Sequence, residues 1–300
     1  MAYILNDSTI FNIQDPTDLI RGDLLYLDNE YSSSSDEYSS SDDDEFEEFE
    51  DLILNPYDIY CLSVGNQTFE GDFLPIRWLI ANYRSVIRGV RLTQTAARVG
   101  NLRCLQYLHK NGFEWDVRTC LGAAANGHLD CLIYLHENGC YWDEETCQEA
   151  ARYGHLDCLR YAHENGCSWN KWTCKEAAYN GHLDCLIYAH KHGCLWNIWT
   201  CSSAAENGHL DCLIYLHENG CSWNGVTTWH ASFYGHLDCL IYAHKHGCPW
   251  DANAPTAAAR SGHIDCLIYL IENGCPTNKY ICSDIQDRDI LSYLQSKGLC

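Results

Sequence analysis

The sequence predicts an all-α protein, a solenoid of stacked helix pairs that follows a partly disordered acidic N-terminal region. Three observations carry this. The letters GHLDCL begin at Gly127, Gly154, Gly181, Gly208 and Gly235, with GHIDCL at Gly262 and GNLRCL at Gly100, and every interval is 27 residues. Copies that stay in phase without an insertion mark an array of structural repeats. Within each copy the apolar residues recur at helical spacing and a glycine closes each run. Residues 30–51, in contrast, hold eleven acidic residues and no basic one, a composition that repels itself and offers too little apolar surface to fold.

In chain order, residues 1–29 form an N-terminal segment of unknown fold, in which DPTDLIRGDLLYL reads as a helical interaction element. Residues 30–51 are the acidic, Ser-rich disordered linker. There Ser33, Ser34, Ser39, Ser40 and Ser41 each precede an acidic residue by three places. That is the pattern of acidophilic kinase sites, so these serines are phosphorylation candidates, and phosphate would add charge and strong acceptor oxygens. Residues 52–72 carry no assignable signal. Residues 73–99 read as a degenerate capping repeat, residues 100–278 as the array, and residues 279–300 as a C-terminal cap whose DILSYLQSKG echoes the first helix of a unit.

Each unit, counted from its Gly as position zero, holds two short helices. In the unit starting at Gly127, the residues Leu129, Cys131, Leu132, Tyr134 and Leu135 make one wide apolar stripe. Gly139 follows that leading helix where a left-handed residue is wanted. A trailing helix begins near Asp143, a suitable N-cap, and places Cys147, Ala150 and Ala151 on one face. Side chains this small let neighbouring helices approach closely. Gly154 then closes the unit. Two helices and two turns leave no room for a strand pair, and neither helix can bury its stripe alone, so the units must stack.

Composition excludes several functions. The chain of 300 residues is 46% apolar with a formal net charge of −22. Such acidity disfavours nucleic acid as a partner, because phosphate neutralisation needs clustered Lys and Arg. No apolar run of 18 residues or more occurs, so no membrane-spanning helix is expected. The first residues lack the basic and apolar regions of a signal peptide, which points to the cytoplasm or nucleus. The twenty cysteines follow the repeat: position +4 in seven copies, +13 in six and +20 in five, leaving only Cys61 and Cys300 outside. In a reducing compartment they read as small buried hydrophobes.

The run T-C-x-x-A-A-x-x-G-H-L-D-C-L-x-Y, from Thr146 to Tyr161, resembles the ankyrin repeat, whose consensus is T-P-L-H-x-A-A-x-x-G-H. The Pro place is Cys in five copies and only Pro255 matches. The unit is shorter than the usual ankyrin length of about 33 residues, mainly where the hairpin finger should be. It is similar to the short, Cys- and Trp-rich ankyrin-like repeat common in large DNA viruses of amoebae, which would place the protein in the host cytoplasm. The resemblance implies paired antiparallel helices, a concave surface formed by the trailing helices, and a +1 His that bonds loop backbone between units.

Chemistry competes with packing at the recurrent residues. His at +1 and +9 and Cys at +4 invite a metal reading. Four ligand atoms must lie within about 2.3 Å of one zinc ion, whereas equivalent residues of stacked helices are about 8–10 Å apart. No metal site and no cofactor is therefore expected. A +9 His near a helix C-terminus would suit the dipole if protonated. Trp at +15 and Tyr at +7 read as packing. A catalytic residue should be singular, and no nucleophile elbow or phosphate loop occurs, so the chain reads as a non-enzyme.

Function should lie where the copies differ. Apart from +14, the most varied places are +17, +21, +25 and +18, +22, +26, spaced as one face of the trailing helix. That face carries Tyr153, Lys171, Trp172, Lys175, Tyr179, Trp199, Trp229, His230, Phe233 and Tyr234. Trp, Tyr and Arg are enriched at binding hot spots. The expectation is a monomeric protein–protein interaction module binding another protein through this face. The alternatives are an adaptor that recruits machinery through its N-terminal region, and a metal-binding or redox protein built on the Cys/His ladder.

Overall fold

The computed structural model describes residues 2–5, 9–12, 92–283 and 285–300. The expectations for the acidic linker with its serines, for the helical element before it and for residues 52–72 lie outside these residues. The chain divides into two units, Met1–Glu114 and Trp115–Cys300.

In the first unit, β1 (Ala2–Leu5) pairs antiparallel with β2 (Thr9–Asn12), with Ala2 opposite Asn12 and Leu5 opposite Thr9. Helices α1 (Leu92–Arg98) and α2 (Leu102–Lys110) pack together in the same unit. Asn101 caps α2, its side chain accepting from the Cys104 amide at 3.0 Å.

The second unit is the helical array. Trailing helices α3 (Val117–Ala125), α5 (Glu144–Arg152), α7 (Lys171–Tyr179), α9 (Ile198–Glu206), α11 (Gly225–Phe233) and α13 (Asn253–Arg260) alternate with leading helices. These are α4 (Leu129–Glu137), α6 (Leu156–Glu164), α8 (Leu183–Lys191), α10 (Leu210–Glu218), α12 (Leu237–Lys245) and α14 (Ile264–Glu272), and α15 (Arg288–Ser296) closes the array. The fold is an all-α solenoid of stacked helix pairs. None of the described helices is long and apolar enough to cross a membrane.

Both glycines of a unit end a helix in the same way. After α4 the Gly139 amide donates to the His136 carbonyl and the Cys140 amide to the Leu135 carbonyl, with Gly139 at φ +82°. After α5 the His155 amide donates to the Ala150 carbonyl, with Gly154 at φ +76°. This double bond around a left-handed residue satisfies carbonyls that would otherwise be orphaned at the helix end. Trailing helices α3, α5, α7, α9 and α11 start on Asp or Asn caps, such as Asp143, which accepts from the Glu145 amide at 3.1 Å.

Packing follows from residue size. Cys147, Ala150 and Ala151, like Cys174, Ala177 and Ala178, are fully buried, and each trailing helix lies directly on the next. Leading helices bury the Leu at +5, as at Leu132, Leu159 and Leu186; each such side chain contributes about 2 kcal/mol of apolar burial. The +13 cysteines stitch successive units: Cys167 donates to the Asp143 carbonyl at 3.0 Å and Cys194 to the Asn170 carbonyl at 3.1 Å. Their acceptor is the cap residue of the preceding trailing helix.

The +1 histidines seat on the preceding unit. A methyl carbon added to Gly127 would fall 2.6 Å from His155 Nδ1, so the imidazole lies flat against the glycine. His155 also bonds the Ala125 carbonyl, and His209 the Tyr179 carbonyl. The backbone-bonding role that the resemblance implies is present at these two positions.

Candidate binding face

The recurrent aromatic and imidazole residues form a ladder between units. His163 stacks on Trp169 of its own unit with ring centres 3.7 Å apart, and its Nδ1 meets the hydroxyl of Tyr188 in the next unit at 3.1 Å. Trp169 meets the edge of Tyr188 at 6.1 Å. The same triad recurs at His136, Trp142 and Tyr161, and again at His190, Trp196 and Tyr215. Packing is therefore the role of Trp at +15 and Tyr at +7. Burial pushes His163, His190, His217 and His244 below the ordinary imidazole value, because loss of solvent disfavours the charged ring.

The cysteines are set up for packing as well. Seventeen thiols among the described residues are all buried. Burial pushes Cys131, Cys185, Cys212 and Cys239 up to about 12, where almost no reactive thiolate exists near neutrality. Cys282 and Cys300 form a disulfide within the C-terminal cap, so Cys282 departs from the reading of the +20 cysteines as unbonded buried hydrophobes. The repeat pattern does not announce this pair, since Cys300 stands outside it. Among the described residues no group of three or more His, Cys, Asp and Glu side chains could hold a metal ion.

The varied positions +14, +18 and +26 lie at or near the surface, whereas Ser202 and Ser203 in α9 and Thr256 and Ala257 in α13, at +21 and +22, are buried. The exposed large apolar side chains among the described residues are Tyr141, Tyr153, Trp172, Leu195, Trp199, Tyr234 and Tyr280. All of them occupy +14, +18 or +26. Trp172 is 44% and Trp199 52% exposed, large values for a residue that normally hides most of its surface. Tyr141, Leu195 and Tyr280 were not singled out from the sequence, although the variability of +14 and +18 was the signal that could have found them.

The expected site residues divide by burial. Tyr153, Lys171, Trp172, Trp199 and Tyr234 are exposed, whereas Lys175, Tyr179, Trp229, His230 and Phe233 are half-buried. Lys175 Nζ lies 4.8 Å and Lys171 Nζ 5.5 Å from the Trp172 ring centre, so two cations flank one indole. Trp229 stacks on Phe233 at 5.0 Å, and Phe233 meets the edge of Tyr234. His230 Nδ1 stands 3.2 Å from Glu206 Oε2. Arg152 bridges Glu149 and Glu176 at 3.5 and 3.8 Å. Glu149, Glu176 and Glu206 are thus engaged by neighbours, while Lys171 and Lys175 form no ion pair among the described residues.

Comparison with known proteins agrees with this architecture. Residues 201–281 match a family model described as ankyrin repeats (3 copies), and residues 147–190 match one described as ankyrin repeats (many copies). A solved structure, the human ASB11 ankyrin repeat domain, superposes with a TM-score of 0.51 at 20% identity, covering 62% of this chain and 99% of that one. No curated protein matches the chain. The helical array has the ankyrin-repeat fold, and residues 147–190 and 201–281 carry ankyrin repeats.

Proposed function

We propose that this protein is a non-enzymatic interaction module that binds a protein partner through the varied face of its trailing helices, centred on α5, α7, α9 and α11. Ankyrin repeats are as a class protein-interaction modules. One observation carries the reading for this chain: its exposed large apolar side chains coincide with the positions at which its units differ. Recurrent residues are consumed by the stack, so selection for a partner has only the varied positions to act on. Trp172 and Trp199 are the anchors, Tyr153 and Tyr234 flank them, and Lys171 and Lys175 supply charge. The half-buried Tyr179, Trp229, His230 and Phe233 support the platform and present ring edges. The length of the unit and its Cys and Trp content support the short repeat type similar to that of large viruses of amoebae.

The test is capture of partners from a eukaryotic lysate by the full chain and by its Trp172→Ala/Trp199→Ala variant. Exposed aromatics cost little stability when truncated, so the variant keeps its helical content. Loss of a specific partner, equivalent to more than about 2 kcal/mol, is the expected result. An unchanged set of partners with unchanged affinity refutes the assignment.

A further inference from the structure

Three successive units of the array carry no acidic residue along one edge. Residues 166–175, 193–202 and 220–229 run from the end of one leading helix into the first turns of α7, α9 and α11, and contain no acidic residue. The equivalent stretch one unit earlier, 139–148, holds Asp143, Glu144 and Glu145, and the one after, 247–256, holds Asp251. The contrast is sharpest at the N-caps. Asp143 caps α5, whereas Asn170, Asn197 and Asn224 cap α7, α9 and α11, each accepting the same backbone bond at 2.8 to 3.0 Å. Asn170 also donates its side-chain amide to Glu144 Oε1 at 3.3 Å, which an Asp could not do, but at Asn197 and Asn224 an Asp would cap equally well, so capping does not explain those two. The three neutral caps coincide with the units that carry Trp172, Trp199 and Trp229, and with the unpaired Lys171 and Lys175.

We propose that this edge docks an extended acidic peptide segment of a partner protein, with its carboxylates beside Lys171 and Lys175 and its apolar side chains on Trp172 and Trp199. This rests on the interaction reading above and specifies the partner's chemistry. Complementary charge is what orients and selects such partners, and a chain of net charge −22 would repel an acidic ligand everywhere that its own acids are not cleared away. Three trailing helices spaced about 8–10 Å apart span about 20 Å, which an extended chain covers in about six residues.

The experiment is a fluorescence-anisotropy titration of the full chain with a labelled, acetylated and amidated peptide of repeated Asp-Glu-Phe triplets. Its counterpart of Asn-Gln-Phe triplets is titrated in parallel. A chain whose residues 30–51 are replaced by Gly and Ser serves as a second receptor, without the chain's own acids as competitors. The informative variant is Asn197→Asp/Asn224→Asp, which installs the cap residue found at α5 and so keeps the fold, while Asn170 keeps its bond to Glu144. The acidic peptide should bind both receptors, weaken as salt is raised, and bind the double variant about tenfold or more weakly. Equal binding of acidic and amide peptides, both lost in Trp172→Ala/Trp199→Ala, overturns the acid preference while leaving the face a binding surface. Failure of the acidic peptide to bind either receptor also overturns it, and lysate capture then decides the broader reading separately.

Discussion

The contact between Gly127 and His155 predicts a measurable coupling between successive units. Gly127 stands at φ +73° with the His155 ring against it, while Gly139, in the same unit, stands at φ +82° with open space where a side chain would begin. Alanine at Gly139 therefore suffers only the left-handed backbone, about 1–2 kcal/mol. Alanine at Gly127 suffers that cost and also displaces His155 from the Ala125 carbonyl, a bond worth about 1 kcal/mol, with overpacking of about 1–3 kcal/mol reduced as the ring swings away. The expected loss is about 2–4 kcal/mol for Gly127→Ala against about 1–2 kcal/mol for Gly139→Ala. His155→Ala removes the clashing ring, so the Gly127→Ala/His155→Ala cycle should show about 1–2 kcal/mol of coupling. Equilibrium urea unfolding, followed by both circular dichroism and tryptophan fluorescence, measures it; a nearest-neighbour treatment is needed where the two probes part. Equal losses at Gly127 and Gly139, or an additive cycle, would refute the argument.

Other outcomes follow from the same interfaces. His155, His163, His190, His209, His217 and His244 titrate below their ordinary value through burial. The unfolded chain then binds more protons than the folded one, so stability is full above about pH 6.5 and falls as pH drops below it; a thermal midpoint that is unchanged between about pH 7.5 and 5.5 would contradict this. Tyr188→Phe removes the hydroxyl that meets His163 and should cost about 1 kcal/mol in urea unfolding. Reducing the Cys282–Cys300 disulfide opens a short loop and should lower cap stability by about 3 kcal/mol, seen as faster amide exchange confined to α15. The buried thiols should react with an aromatic disulfide reagent only at the rate of local opening, and a burst of several equivalents in native buffer would show that they are accessible.

What the sequence discloses here is what the chain encodes locally. The interval between glycines sets the units, Asp143 and its equivalents mark helix starts, and Ala150 and Ala151 mark the close-packed face; each reads within one turn of helix. The trio of His163, Trp169 and Tyr188 does not, because its partners are 25 residues apart across a unit boundary. Its signal was available, since two residues present in nearly every copy keep a constant separation, but only the stack shows that they touch. The Cys282–Cys300 bond was hidden because the cap runs out of phase with the array. The candidate face was legible as variability among copies, whereas the exposure of Trp199 and the half-burial of Trp229 depend on what the adjacent helices present.

Five successive junctions, at Gly127, Gly154, Gly181, Gly208 and Gly235, use the same parts: an imidazole on a glycine, a thiol on the carbonyl ahead of a trailing helix, a tyrosine edge on an indole. The segment from Gly127 to Cys140 is letter-for-letter that from Gly208 to Cys221, and the segment from Gly181 to Cys194 is that from Gly235 to Cys248. Surfaces this alike cannot tell one neighbour from another. The order of the units is held by the tether between them and not by recognition, so a chain that has lost or gained one whole unit still finds matching surfaces to close upon. A change in length by one whole unit of 27 residues would therefore leave leading helices that still match across the new junction.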